Sequence, residues 1–523
     1  MGRAAAVDLR VARVLSDLLT VAGAQMTAIP KRGGLSRREF ATAALAGGLG
    51  LLAGCGEPAT APQRTSDPGG YAKAIADAEA ARPHTGRTVN AVLRPRPVTV
   101  DLGGPIVHTL AYGDTIPGPL LRANVGDELA VSVSNGLDHP TSVHWHGIEL
   151  RNDMDGAAPA TPNIAAGQDF TYRFSVPKPG TFWAHPHTGL DADFGLYLPV
   201  VVDDPNEAGR HDAEWIVVLD DWTDGVGKSP AEVYEDLRRA RSGMGHMGTG
   251  GVGRSSLLGG DAGDVAYPYY LVNGRIPAAP TSFNAKPGQR IRIRFVNAGS
   301  DTAFRVALAG HAMTVTHSDG YPVVPTDVDA LLLGMGERYD VTVTAGDGVF
   351  PLVAAAEGKN GLGRALLSTG AGTAPASDFL PPELGMRVGT VDSFAATPEV
   401  RLPPASPDVA LSVQLTGGMM NYDWAINGRP FPDGKPLVIS RGQHATMRFT
   451  NSTMMWHPMH LHGHTFQVLD ADGRAGARKD TVIVQPMRTV TVALVADNPG
   501  TWMLHCHNTY HQEAGMMTRL DYT

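Results

Sequence analysis

Three blocks of this chain repeat one pattern, and the repetition limits it to a fold made three times from one unit. "VGDELAVSVSNGLDHPTSVHWHG" ends at Gly147, "PGQRIRIRFVNAGSDTAFRVALAGH" at His311 and "RGQHATMRFTNSTMMWHPMHLHGH" at His464. Each has a glycine turn, a strand of alternating polarity that ends in asparagine, and a second strand. Alternation with period two buries one face of a sheet, so each unit needs a second sheet to cover that face. The 523 residues are enough for three such units, and 62 glycines with 39 prolines supply the turns that short strands need. The sequence predicts an all-β chain of three sandwiches over 88–205, 206–380 and 381–523, with linkers near 203–212 and 375–389.

The second strands separate the copies. Those of the first and third units carry histidines, and the second strand of the middle copy carries none. Further on, "KPGTFWAHPH" from Lys178 matches "NPGTWMLHCH" from Asn498, so two more histidine pairs fall at equivalent places in the outer units. The four His-x-His pairs are His144/His146, His185/His187, His460/His462 and His505/His507. On a strand, residues i and i+2 project from one face, so each pair aims two imidazoles the same way. Buried imidazoles each need a polar partner, and eight of them in matched positions of two repeats point to a cluster of metals. Cys506 lies between His505 and His507 and projects from the opposite face, so it needs a metal of its own. His457, His511 and Met516 supply two imidazoles and a thioether beside that thiolate, a soft donor set that favours copper over zinc.

The first 54 residues are set apart from the fold. "SRREFATAALAGGLGLLAGC" opens with Arg37 and Arg38, continues as small apolar residues from Ala41 to Leu52, and ends in Leu52-Ala53-Gly54-Cys55. It resembles a twin-arginine export signal that runs into a lipoprotein cleavage box. Its apolar run of about 12 to 14 residues is short of the ~20 that span a bilayer. Met26 is an alternative start. Residues 55–87 read as a tether followed by a short helix, "YAKAIADAEAARPH". The chain has two cysteines, so with Cys55 lipidated no intrachain disulfide is expected. Residues 1–54 are basic, which leaves the rest more acidic than the whole-chain charge of −9 and argues against nucleic acid as a partner.

HWHG, HPHTG, HPMHLHGHTF and HCHNTYHQEAGM resemble the four copper signatures of multicopper oxidases, in order and spacing, from about residue 88 to the end. The likeness is to bacterial three-domain enzymes of the laccase and cuprous oxidase type, nearest to exported lipoprotein oxidases of copper resistance. It implies three consecutive cupredoxin-like Greek-key sandwiches and four copper ions. His457, Cys506, His511 and Met516 would hold the type 1 copper, and His144 with His460 the type 2. His146, His185 and His507 would hold one type 3 copper, and His187, His462 and His505 the other. The middle sandwich would be a copper-free spacer.

The resemblance further implies that Cu(I), Fe(II) or a phenol gives single electrons through His457 or His511, and that dioxygen is reduced to water. Asp155, in "NDMDG", matches a proton-relaying acid. A second acid of relatives is here Gln512, with Glu513 adjacent as a substitute. Met455 matches a methionine that holds substrate Cu(I), while Thr453 stands where such relatives place an acid. The run "SGMGHMGTGGVG" from Ser242 is a glycine-rich linker or a copper-capturing loop. His464 reads as a supporting histidine, and His246, His311 and His317 as non-ligands.

The expected protein is a monomeric, exported, lipid-anchored oxidase. The alternative is a copper-sequestering or electron-carrying protein without turnover, which needs only the type 1 ligands. A copper nitrite reductase would be built from two-domain subunits and lack the full cluster. Intact-mass measurement on protein extracted from membranes is expected to show acyl chains on an N-terminal Cys55; an unmodified Cys55 contradicts that reading.

Overall fold

A computed structural model describes residues 70–207, 211–239 and 252–523. The expected export segment, the lipid site at Cys55, the tether up to residue 69 and most of the glycine and methionine run after Ser242 lie outside the described residues. Among the described residues, no helix is long and apolar enough to cross a membrane.

The same three-strand motif opens each sandwich. Strand Thr88–Leu93 runs parallel to Glu128–Ser134, which pairs antiparallel with Asp169–Ser175. Ala213–Trp222, Arg290–Asn297 and Arg338–Thr344 repeat this arrangement, as do Val409–Thr416, His444–Asn451 and Thr489–Val495. The glycine before each central strand, Gly126, Gly288 and Gly442, has φ of 82°, 78° and 86°, a left-handed turn that favours glycine.

The asparagine that ends each central strand has one job in all three copies. Asn135 Nδ2 donates to the carbonyls of His139 and Ile164, Asn297 Nδ2 to those of Thr302 and Leu333, and Asn451 Nδ2 to those of Met455 and Val484. Each Oδ1 accepts a main-chain N–H two residues on, from Leu137, Gly299 and Thr453. The side chain therefore fixes the loop that delivers the next strand, which in the outer copies is the histidine strand.

The covering sheet of the first sandwich has the order Leu121–Asn124, Leu198–Asp203, Gly180–His185, His144–His146. That of the third has the order Leu437–Ile439, Met517–Tyr522, Thr501–Cys506, His457–Leu461, Thr481–Val484. Both place the histidine strands side by side. The middle sandwich consists of two six-stranded sheets. Its edge strand Val388–Gly389 pairs parallel with Ala330–Leu333, so its pairing continues past the boundary expected at residue 380. The helix Ala72–Ala80 forms where a short helix is expected. Glu79 Oε1 accepts the Ser175 N–H of the first sandwich at 2.8 Å, and Arg82 donates to Asn498 of the third at 3.0 Å, which ties the helix across both.

Alternation also explains how the middle sandwich meets the first. In "RIRIRFVN" Ile291, Ile293 and Phe295 fill the core, and Arg292 and Arg294 on the other face are also buried. They share Asp340, which accepts from Arg292 Nε at 3.1 Å and Arg294 Nη1 at 2.9 Å, and from the Thr181 hydroxyl of the first sandwich at 2.6 Å, and each has a second partner, Glu207 for Arg292 and Glu214 for Arg294. Burial by itself would raise the Asp340 pKa, but the two guanidiniums hold it well below the usual carboxylate range. Neutralising Asp340 removes the fully buried charge that both guanidiniums share and leaves each with its glutamate alone, at a cost of up to about 3–5 kcal/mol. Asp340→Asn is expected to lower the unfolding temperature clearly in calorimetry, while Asp327→Asn, at an exposed position, leaves it nearly unchanged; equal small effects would contradict this.

Candidate metal centre

Strand register brings the histidine pairs together two at a time. His144 lies opposite His185 in the first sandwich, and His460 lies opposite His505 in the third. Trp145, between His144 and His146, points the other way and packs on Tyr172 and Phe174 at ring separations of 5.5 and 5.1 Å. Met459 and Cys506, which face each other across the third-sandwich strands, are likewise in that domain's core. Period-two geometry thus sends imidazoles to one side of each sheet and apolar or sulfur side chains to the other.

The two histidine faces meet. His144 stacks on His462 at 3.6 Å and 18°, and His146 on His460 at 3.7 Å and 11°. The ring nitrogens gather into sets in which all donor atoms lie within 4.8 Å: His144, His146 and His460; His146, His185 and His507; His187, His462 and His505. His457, Cys506 and His511 form a separate set. Each predicted group of the cluster is brought together, and every one of these residues except His187 is buried.

These sets fit metal ions. His460 Nε2 is 3.4 Å from His144 Nε2, His462 Nε2 3.0 Å from His505 Nε2, and His457 Nδ1 3.1 Å from His511 Nδ1. Two imidazoles on one first-row ion at about 2.0–2.1 Å and near-tetrahedral angles have this spacing. His146 Nδ1, His185 Nε2, His187 Nε2 and both nitrogens of His507 are buried with no protein partner. Burial, with neighbouring imidazoles adding to it, keeps His146, His185, His462, His505 and His507 uncharged and lowers the His187 pKa to about 3. Neutral rings with free lone pairs are the ligating form.

The outward nitrogen of most rings is fixed by the protein. His144 Nδ1 donates to the Asp155 carbonyl at 2.9 Å, and His462 Nδ1 donates to Asp155 Oδ2 at 2.8 Å. His460 Nδ1 donates to the Asp480 carbonyl at 3.0 Å, and His146 Nε2 to Asp480 Oδ1 at 3.1 Å. His185 and His505 donate to the carbonyls of Pro186 and Cys506. Such bonds set the tautomer and the aim of each ring.

At the sulfur set, Cys506 Sγ is 3.6 Å from His457 Nδ1 and 3.7 Å from His511 Nδ1. Burial pushes the Cys506 thiol well up, so only a bound cation would make it a thiolate there. Met516 is fully buried and its main chain is bonded to Cys506 and His511. The far nitrogens are held as well: His511 Nε2 donates to Asp264 Oδ2 at 2.9 Å, and His457 Nε2 to Thr453 Oγ1 at 2.9 Å.

Other expected residues are placed differently. Asp155 sits under the cluster as described. Met455 is 2% exposed within the core, and it is Met454 that is 75% exposed. Glu513 ends the helix Thr509–Glu513 on its exposed side and lines a cavity of about 620 Å³ with Tyr234, Arg238 and Tyr422, on the sulfur side of the molecule. The structure does not bring it to the histidine cluster. His464 bonds the Tyr522 hydroxyl at 2.6 Å and supports the fold.

Sequence reasoning missed Asp480 and Asp264. The first had a signal: Lys479 and Asp480 stand at the head of the apolar strand "TVIV", and such charges are seldom buried without a partner. Asp264, in "GGDAGDVAY", has the look of an ordinary turn residue.

Three models of the multicopper oxidase family match residues 97–207, 213–372 and 404–523. The chain is 63% identical to the multicopper oxidase MmcO of Mycobacterium tuberculosis over 491 residues, covering 93% of this chain and 96% of that one. It is 29% identical to a copper resistance protein A homolog of Pseudomonas syringae pv. tomato, covering 80% and 89%. The laccase structure from Botrytis aclada matches with a TM-score of 0.68 at 25% identity, covering 85% and 89%. Three cupredoxin-like sandwiches, buried imidazole sets between the outer two and these likenesses agree: the chain belongs to the multicopper oxidase family.

Proposed function

We propose that the protein is an exported, lipid-tethered oxidase with four copper ions that takes electrons from Cu(I) or small phenols and serves copper resistance. The observation that carries this reading is the meeting of eight histidines from two sandwiches, seven of them buried, in three sets, beside a separate set with one cysteine. His144 and His460 would hold the type 2 copper, and the two triads, His146, His185, His507 and His187, His462, His505, the type 3 pair. His457, Cys506, His511 and Met516 would hold type 1. Copper in these places supplies one-electron oxidation of the donor at the sulfur site and four-electron reduction of dioxygen to two waters at the other three.

The protein's part is orientation, connection and proton supply. His505-Cys506-His507 spans the two sites, so a few covalent bonds link them. Asp155 bonds His462 through Oδ2, and its buried Oδ1 lies 3.3 Å from His144 Nδ1, so the carboxyl sits against two ligand rings, where it would carry a proton toward the cluster. Glu513 lines the cavity on the donor side, and this supports Asp155 as the relay.

Both type 1 histidines are fully buried, and the two differ in what lies outside them. Beyond His511 are Asp264 and the Tyr422 hydroxyl, which donates to the same carboxylate at 2.9 Å and lines the 620 Å³ cavity. Beyond His457 is Thr453. The route for an organic donor therefore runs by way of His511. For Cu(I), the exposed thioether of Met454 is the soft ligand that solvent reaches, ahead of the buried Met455.

A carrier or storage protein needs only the sulfur set. Copper-loaded protein given guaiacol or Cu(I) in an oxygen electrode is expected to consume one dioxygen per four donor electrons without peroxide release. Absence of uptake, or accumulation of peroxide, contradicts the proposal.

A further inference from the structure

The middle sandwich provides no histidine to any of the metal-binding sets found among the described residues, yet one of its turns forms a wall of the histidine cluster. Gly334, Met335, Gly336 and Glu337 lead into strand Arg338–Thr344. Gly336 has φ of 83°, and a Cβ there would come within 2.8 Å of His507 Cδ2 and 2.9 Å of His146 Cε1. The backbone of the middle sandwich thus touches one imidazole from each outer sandwich.

Two residues on, Arg338 is fully buried and reaches all three domains. Its Nε donates to the Thr181 carbonyl of the first sandwich at 3.1 Å, and its Nη1 donates to the Gly336 carbonyl of its own turn at 3.0 Å. Nη1 and Nη2 donate to Asp480 Oδ1 and Oδ2 of the third sandwich at 2.8 and 2.6 Å. A planar fork on both oxygens sets the plane of the carboxylate as well as its charge, which an ammonium cannot do.

Asp480 in turn holds the stacked pair His146 and His460, through Oδ1 and the main-chain carbonyl. Thr481 Oγ1, which donates to Asp480 Oδ1 at 2.8 Å, lies 3.1 Å from His460 Nδ1 and 3.2 Å from His146 Nε2. The other stacked pair, His144 and His462, is held by Asp155, whose Oδ1 has no such donor. The glycine of HWHG belongs to the same device: a Cβ at Gly147 would overlap the Arg338 guanidinium as it crosses to Asp480.

We propose that Arg338 is a positioning residue of the three-copper centre. Its bidentate bond fixes the Asp480 carboxylate, and through it the tautomer and ring aim of the type 3 histidine His146; the type 2 histidine His460 bonds the main-chain carbonyl of the same residue, with the carboxylate 3.3 Å from its Nδ1. The inference rests on the functional reading above. The sandwich without copper ligands is therefore part of the centre's scaffold and more than a spacer.

The test uses the full-length copper-loaded protein with Arg338→Met, Arg338→Lys and Asp480→Asn. Copper content, the blue absorption of the sulfur site, the near-ultraviolet absorption of the coupled pair and the type 2 electron paramagnetic resonance signal are recorded for each. Arg338→Met and Asp480→Asn are expected to keep the blue absorption and to weaken copper retention at the three-metal centre about 10- to 100-fold, with altered type 2 and near-ultraviolet signals. Arg338→Lys keeps the charge without the fork and is expected to fall between. Unchanged signatures in Arg338→Met, loss of all four coppers in equal proportion, or full restoration by lysine would overturn the proposal. Absence of a three-copper signature in the unsubstituted protein would instead overturn the functional reading.

Discussion

Everything in this molecule depends on neutral imidazoles kept dry and aimed from behind. Burying one uncharged histidine without partners is unfavourable, and gathering eight together, seven of them buried, is tolerable only if each ring has a use for both nitrogens. Six of the eight donate their outward N–H to a carboxylate or a carbonyl, and the inward lone pairs are left facing one another. A metal ion completes that arrangement. The strand period does the rest, since it lets one tripeptide give two rings to the cluster and a sulfur to the neighbouring site.

What the sequence reveals is what local geometry controls. The central strands, their glycine turns, the asparagine at the end of each and the matched His-x-His pairs are set by periods of two and by conformations that few residues adopt. The structure gathers the ring nitrogens of these histidines into sets within 4.8 Å of one another. Long-range partners are hidden: Asp480 and Arg338 are 142 positions apart, and nothing local in either segment announces the other. Met455 occupies a matching position in the motif and Glu513 stands one residue past one, but tertiary packing decides which way a side chain faces. Packing turns Met455 into the core and Glu513 outward.

The middle sandwich shows the same principle at larger scale. Its alternating arginines Arg292 and Arg294 resemble a solvated strand face, yet they are buried at the contact with the first sandwich. Buried ion pairs are weak sources of net stability, but they penalise misalignment severely, because a displaced partner leaves a bare charge. Networks centred on Asp340 and on Arg338 therefore act as registration marks between domains. A centre whose ligands come from two sandwiches needs that registration to within a fraction of a bond length.

The central claim is that the outer sandwiches share one buried cluster of metals beside a solitary sulfur site. Anomalous diffraction at the copper edge on crystals of the copper-loaded protein tests it most directly. Three peaks enclosed by the eight histidines, and a fourth between His457, Cys506 and His511, are the predicted result. A map with density at the sulfur site alone, or with copper bound only at the surface, would contradict it.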